Sequence, residues 1–105
     1  MNETMRKTAI YRPKDPILIV EDTRETQALL QGICKNMDVP AVVASNGEAA
    51  LRMLDERDYS IFIVDLMMPV MDGKTFITHL KKRLPESVVL VETALDSPGT
   101  IIDIM

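Results

Sequence analysis

Four short runs of apolar residues, separated by longer stretches with helical spacing, dominate the pattern of this 105-residue chain. Most residues in the runs are β-branched and none is polar, which is typical of strands covered on both faces in a parallel sheet. The runs are ILIV (17–20), AVVA (41–44), IFIV (61–64) and VVLV (88–91). Because strands that alternate with helices form parallel βαβ crossovers, the pattern predicts a doubly wound α/β sheet.

The segments between the runs carry apolar residues three and four positions apart, as amphipathic helices do. One such stripe consists of Leu30, Ile33, Cys34 and Met37. The predicted helices cover about 24–37, 47–57 and 74–84. Asn46 or Ser45 can cap the second helix. The third helix must end before Pro85, since the residue ahead of a proline disfavours the α conformation.

Composition and charge restrict the class of protein. The net charge of −4 gives no indication of a nucleic-acid surface. No apolar run is long enough to span a bilayer, and residues 1–16 are too polar for a signal peptide. The single cysteine, Cys34, excludes an internal disulfide and suits a reducing compartment. We therefore expect a flexible leader over 1–16 and one cytoplasmic domain over 17–105.

Acidic residues directly follow the first and third predicted strands. Glu21 and Asp22 come after ILIV, and Asp65 comes after IFIV. The carboxyl ends of parallel strands lie at the sheet edge where such folds bind ligands, so neighbouring strands would bring the three carboxylates together. A hard divalent cation relieves their repulsion, and Mg²⁺ prefers oxygen ligands. Two simpler interpretations remain: Asp22 can form a capping box with Glu25, and Asp65 can begin a turn.

Three longer motifs carry a specific resemblance. LIVEDTRE (18–25), VDLMMPVMDG (64–73) and VVLVETA (88–94) resemble the receiver domains of two-component response regulators. The resemblance covers Ile17 to about Met105, and it implies the flavodoxin-like, CheY-like fold with strand order 2-1-3-4-5.

The C-terminal part departs from this family pattern. A typical receiver continues through a fourth helix, a fifth strand that ends in Lys-Pro, and a fifth helix. Here no Lys or Arg follows Arg83, and IIDIM (101–105) resembles part of the fourth helix. We expect a sheet of order 2-1-3-4 without the usual fifth strand and fifth helix. The fourth strand would then be an exposed edge, which favours a homodimer or a segment swap.

The resemblance also implies roles for individual residues. Asp65 matches the phosphoacceptor, which takes a phosphoryl group from a sensor histidine kinase or a phosphotransfer protein. Glu21, Asp22 and Asp65, with the backbone carbonyl of Met67, match the Mg²⁺ ligands. Thr93 matches the switch hydroxyl that bonds the phosphoryl oxygens. Such a domain acts on its own aspartate and signals to a partner or effector domain, so it is not a turnover enzyme.

Other residues have simpler interpretations. His79 lies among basic residues and is expected on the surface, while Cys34 is expected in the core. Glu92 precedes Thr93 and is expected to point to the other side of the strand.

Two alternative functions follow from the departures. A receiver-like interaction module that works without phosphorylation is favoured by the missing lysine. A Mg²⁺-dependent phosphatase of the aspartyl-phosphate type fits less well, because Met67 stands where that chemistry usually needs a second aspartate.

Overall fold

The protein folds as an open five-stranded sheet with helices on both faces. The computed structural model describes residues 15–68, 71–93 and 100–104. Its elements are β1 (Ile17–Val20), α1 (Arg24–Asn36), β2 (Ala41–Ala44), α2 (Gly47–Leu54), β3 (Ile61–Asp65), α3 (Gly73–Arg83), β4 (Val88–Thr93) and β5 (Thr100–Ile104). The strand order is β2-β1-β3-β4-β5, and the first four strands are parallel. The predicted order 2-1-3-4 is confirmed.

The strand β5 contradicts the helix expected over 101–105. It runs antiparallel to β4, with Thr93 opposite Thr100 and Val89 opposite Ile104. The segment TIIDI is rich in β-branched residues, which lose side-chain freedom in a helix and pack well on a pleated strand. The expected exposure of β4 as an edge is therefore also wrong, because β5 pairs with it. A homodimer or segment swap stays a prediction, and its edge would be β5.

The two faces of the sheet carry separate apolar clusters, as side-chain alternation along the strands requires. One face packs against α1, through Ile17, Ile19, Leu30, Cys34 and Ile63. The opposite face packs against α2 and α3, and its largest buried members include Leu18, Phe62, Val64, Phe76 and Leu80. The ring centroids of Phe62 and Phe76 are 6.4 Å apart, and the two rings are tilted relative to each other. This confirms the doubly wound architecture and the core position of Cys34.

Polar caps and a proline set the helix limits. The side chain of Asn46 accepts a hydrogen bond of 2.8 Å from the backbone N–H of Ala49, which confirms Asn46 as the cap of α2. The predicted capping box at Asp22 is absent, because Thr23 is the N-cap of α1 and makes no side-chain capping bond. The helix α2 ends at Leu54, three residues earlier than predicted. The helix α3 ends at Arg83, ahead of Pro85.

Most of the predicted leader, residues 1–14, lies outside the described residues. Pro16 is fully buried, and its carbonyl accepts a 2.9 Å hydrogen bond from the backbone N–H of Ser60. None of the helices within the described ranges is long and apolar enough to cross a membrane.

Candidate functional site

Three acidic side chains stand at the same level on three neighbouring strands. Val20 is paired with Val64, so Glu21 and Asp65 follow at the next position of β1 and β3. Asp65 is in turn paired with Glu92 of β4. Because residues in register on adjacent strands project from the same face, the three carboxylates point to one side of the sheet. Glu21 is only 2% exposed to solvent, and Asp65 and Glu92 are each 8% exposed.

Three of the acids are arranged as a cation site. Carboxylate oxygens of Glu21, Asp22 and Asp65 all lie within 4.8 Å of one another. Two ligands on opposite sides of Mg²⁺ are about 4.2 Å apart, since each bond is about 2.1 Å long. Small movements of these side chains would therefore bring their oxygens to bonding distance, and Asp22 is exposed and free to make them. The donor set is all oxygen, which fits a hard divalent cation.

Backbone N–H groups hold two of these carboxylates in place. The N–H of Met67 donates a 2.9 Å hydrogen bond to Asp65 Oδ1. The N–H of Thr23 donates a bond of the same length to Glu21 Oε2. Each carboxylate oxygen has two lone pairs, so these bonds hold the side chains in place and still leave acceptor positions on both carboxylates for a ligand.

Close packing of α3 against the end of β3 depends on Gly73. A Cβ atom at Gly73 would lie 2.7 Å from the Cα of Leu66 and 2.8 Å from the carbonyl carbon of Asp65. The N–H of Gly73 also donates a 3.3 Å hydrogen bond to the carbonyl of Leu66. The start of α3 therefore braces the backbone that carries Asp65.

The electrostatics of the cluster favour a bound cation. The pKa of Glu21 is raised to about 8, chiefly by burial and also by the charges of Asp65 and Glu92, while the Thr23 hydrogen bond opposes the shift. Burial also raises the pKa of Glu92, and the charge of Asp65 adds to the shift. A divalent cation would offset the negative charge that these groups must otherwise avoid.

An open depression of about 460 Å³ lies beside Asp22. Its lining includes Arg24, Gln27, Gln31 and Ser45. A ligand can therefore reach Asp22 from solvent across a polar surface.

Comparison with known proteins decides the family. A model of the family described as the response regulator receiver domain matches residues 17–105. The chain belongs to this family. Chemotaxis protein CheY of Listeria monocytogenes is 30% identical over 88 residues, which cover 83% of this chain and 74% of that relative.

Other relatives are larger or have known structures. A protein-glutamate methylesterase/protein-glutamine glutaminase of Rhodospirillum rubrum is 32% identical over 81 residues, covering 75% of this chain and 21% of that protein. The chain thus spans about a fifth of that relative's length. The response regulator TrrA of Thermotoga maritima, crystallised in complex with Mg²⁺-BeF, superposes with a TM-score of 0.74 at 26% identity. That match covers 78% of this chain and 71% of the TrrA chain.

The receiver fold brings together most of the residues singled out in the sequence. Glu21, Asp22 and Asp65 converge as expected. The backbone of Met67 contacts Asp65 through its N–H, while the Met67 side chain is exposed. Thr93 ends β4, and its side chain lies outside the described part of the structure.

Two further expectations have clear outcomes. His79 is exposed on α3, as predicted. Glu92 was expected to point away from the site, but it is buried within interaction distance of Glu21 and Asp65. A signal for this was present, because Glu21, Asp65 and Glu92 are each the fifth residue counted from the start of their strands, Ile17, Ile61 and Val88.

Proposed function

We propose that this receiver domain takes a phosphoryl group onto Asp65 from a sensor histidine kinase or a phosphotransfer protein. The observation that carries the proposal is the convergence of Glu21, Asp22 and Asp65 at the carboxyl edge of the sheet. Mg²⁺ would be held by these three carboxylates and the backbone carbonyl of Met67. The phosphorylated domain then acts on a partner or an effector domain in the cytoplasm.

The carboxylate of Asp65 acts as the nucleophile. Oδ1 is held by the N–H of Met67, so Oδ2 forms the new bond to phosphorus while the bond from phosphorus to the donor's ring nitrogen breaks. The electron pair of the broken bond returns to that nitrogen. When bound, Mg²⁺ offsets the charge on the phosphoryl oxygens. Holding Asp65 rigidly at the end of β3 supplies the positioning on which this transfer depends.

The hydroxyl of Thr93 bonds the phosphoryl oxygens and passes the change to the rest of the fold. Thr93 follows Glu92, which pairs with Asp65, so it stands one residue beyond the acceptor's own level. Its backbone is paired with Thr100 of β5. A shift at Thr93 would therefore reach the outer edge of the sheet. The domain modifies itself and is not a turnover enzyme.

Mass spectrometry of the intact protein tests the acceptor. The protein is incubated with Mg²⁺ and a small acyl phosphate, and we expect one phosphoryl adduct. Asp65→Asn should abolish the adduct, because the amide is a poor nucleophile. Asp72→Asn is the matched control: Asp72 is an exposed acid near the acceptor whose side chain caps α3, and asparagine caps equally well. The control should keep the adduct.

A phosphorylation-independent interaction module is the second candidate. If the wild-type protein forms no adduct with Mg²⁺ and donor, the acceptor proposal is wrong and this second function is favoured. An adduct that survives Asp65→Asn would place the modified residue elsewhere.

A further inference from the structure

We propose that Glu92 is a further member of the cation site and strengthens the binding of a divalent cation through cation-bound water. The inference rests on the proposed Mg²⁺ site of Glu21, Asp22 and Asp65. None of the family motifs quoted above assigns a role to this glutamate. Its position follows from the strand register, which sets Glu92 directly beside Asp65.

The carboxylate of Glu92 is buried with an unmet hydrogen-bonding need. The residue is 8% exposed, and its Oε2 atom has no hydrogen-bond partner within the described part of the chain. Buried polar atoms without a partner are rare in native proteins, and each one calls for an unseen ligand, ion or water. This orphaned oxygen distinguishes Glu92 from an ordinary member of an acidic cluster.

Once a cation is bound, the described neighbours of Glu92 cannot supply the missing donor. The nearby backbone N–H groups of Thr23 and Met67 already bond Glu21 and Asp65. The side chains that interact with Glu92 are the carboxylates of Glu21 and Asp65: a protonated Glu21 donates a hydrogen bond to Glu92, but as ligands of a cation both carboxylates are ionised and only accept. A water molecule with its oxygen on a cation is a strong donor, and Mg²⁺ keeps several of its waters in protein sites.

The distances favour contact through water over direct coordination. The carboxylate oxygens that lie within 4.8 Å of one another belong to Glu21, Asp22 and Asp65, and Glu92 is not in that group. Glu92 instead interacts with Glu21 and Asp65 from the neighbouring strand β4. Residues that hydrogen-bond to the ligands of a metal without binding the metal themselves commonly change the affinity of the site for the metal tenfold or more. Glu92 is therefore a positioning residue that adds one negative charge to the site.

Direct cation binding tests the role of Glu92. The dissociation constant for Mn²⁺ is measured by the electron paramagnetic resonance signal of the free ion, with Mg²⁺ as competitor. Glu92→Gln keeps the size of the side chain and removes its charge, and we expect the dissociation constant to rise about tenfold. Glu86→Gln is the matched control, since Glu86 is exposed and precedes β4. Its dissociation constant should stay within about twofold of wild type.

A stability measurement separates this role from a structural one. In EDTA, Glu92→Gln should unfold at the same or a higher urea concentration than wild type, because it removes a buried charge that lacks a partner. A merely structural glutamate would lose stability and cation affinity together. Equal or tighter Mn²⁺ binding by Glu92→Gln would overturn the inference. If the wild-type protein itself bound no Mn²⁺ or Mg²⁺, the proposed cation site would fail, which is a different result.

Discussion

Adding one methyl group at Gly73 should destabilise the protein by pressing on the backbone beside Asp65. The new Cβ atom would lie 2.7 Å from the Cα of Leu66, 2.8 Å from the carbonyl carbon of Asp65 and closer still to the Asp65 carbonyl oxygen. All three contacts are to main-chain atoms at the end of β3. They cannot be relieved by a change of side-chain rotamer, so either α3 or the acceptor strand must move.

Two opposing contributions set the magnitude for Gly73→Ala. Replacing a glycine by alanine within a helix stabilises it by about 0.5–1 kcal/mol. Overpacking costs about 1–3 kcal/mol, and a collision with fixed backbone belongs at the upper end. We therefore expect a net loss of about 2 kcal/mol in the free energy of unfolding, which is a large part of the stability of a domain this size.

Urea unfolding followed by circular dichroism provides the measurement, and the chain offers a matched control. Gly32 lies in the middle of α1, and a Cβ atom there would meet nothing within 4 Å. Gly32→Ala should therefore raise the free energy of unfolding by about 0.5–1 kcal/mol, while Gly73→Ala lowers it. If Gly73→Ala were as stable as wild type, or gained as much as Gly32→Ala, the close packing of α3 against β3 would be refuted.

Three other predictions concern the cap, the core and the buried acid. Asn46→Ala should cost about 1 kcal/mol in urea unfolding because it removes the cap of α2, and the exposed neighbour substitution Ser45→Ala should cost less than about 0.5 kcal/mol. Phe62→Ala should cost about 3–5 kcal/mol, because Phe62 is fully buried between Tyr59 and Phe76, and a loss under about 1 kcal/mol would contradict that packing. In EDTA, stability should fall as pH rises from 4.5, the ordinary pKa of a glutamate, towards the raised pKa of about 8 at Glu21. The folded protein keeps a proton that the unfolded chain has lost, so the fall is up to about 1.4 kcal/mol per pH unit. Urea midpoints across this range measure the slope, and an unchanged slope in Glu21→Gln would refute this cause.

The parallel core of the fold was predictable because its signals are local and repeated. Each of the four apolar runs became a strand, and the helix stripes fell where three- and four-residue spacing put them. The strand order came from the family resemblance, because periodicity alone does not say which strands are neighbours. The segment IIDIM (101–105) was misassigned, because a short, largely apolar run fits a strand or a buried helix equally well. Pairing with β4, a long-range contact, decides between them.

The site was predicted in part for a related reason. Glu21, Asp22 and Asp65 are marked in the sequence because each follows an apolar run directly. Glu92 was misplaced because it was judged by its alternation with Thr93, within its own strand. Its position depends on the register between β3 and β4, which sets it opposite Asp65. Alternation within β4 does not show which residues face the site, whereas the register between β3 and β4 places Glu92 beside Asp65.

The acids at this edge are better explained by ligand binding than by folding. Glu21 and Glu92 are buried, and burial raises the pKa of both, so the fold is less stable with them ionised than it would be with apolar residues at these positions. Apolar side chains would continue the pattern of Ile19, Ile63 and Leu90, which precede the acids on the same face of the sheet. The site lowers the stability of the free protein, and a bound cation restores that stability. Cation affinity is therefore coupled to the free energy of unfolding. Mg²⁺ should accordingly stabilise the wild-type protein against urea, and it should do so less in Glu92→Gln, whose unliganded state carries less of the repulsion that the cation relieves.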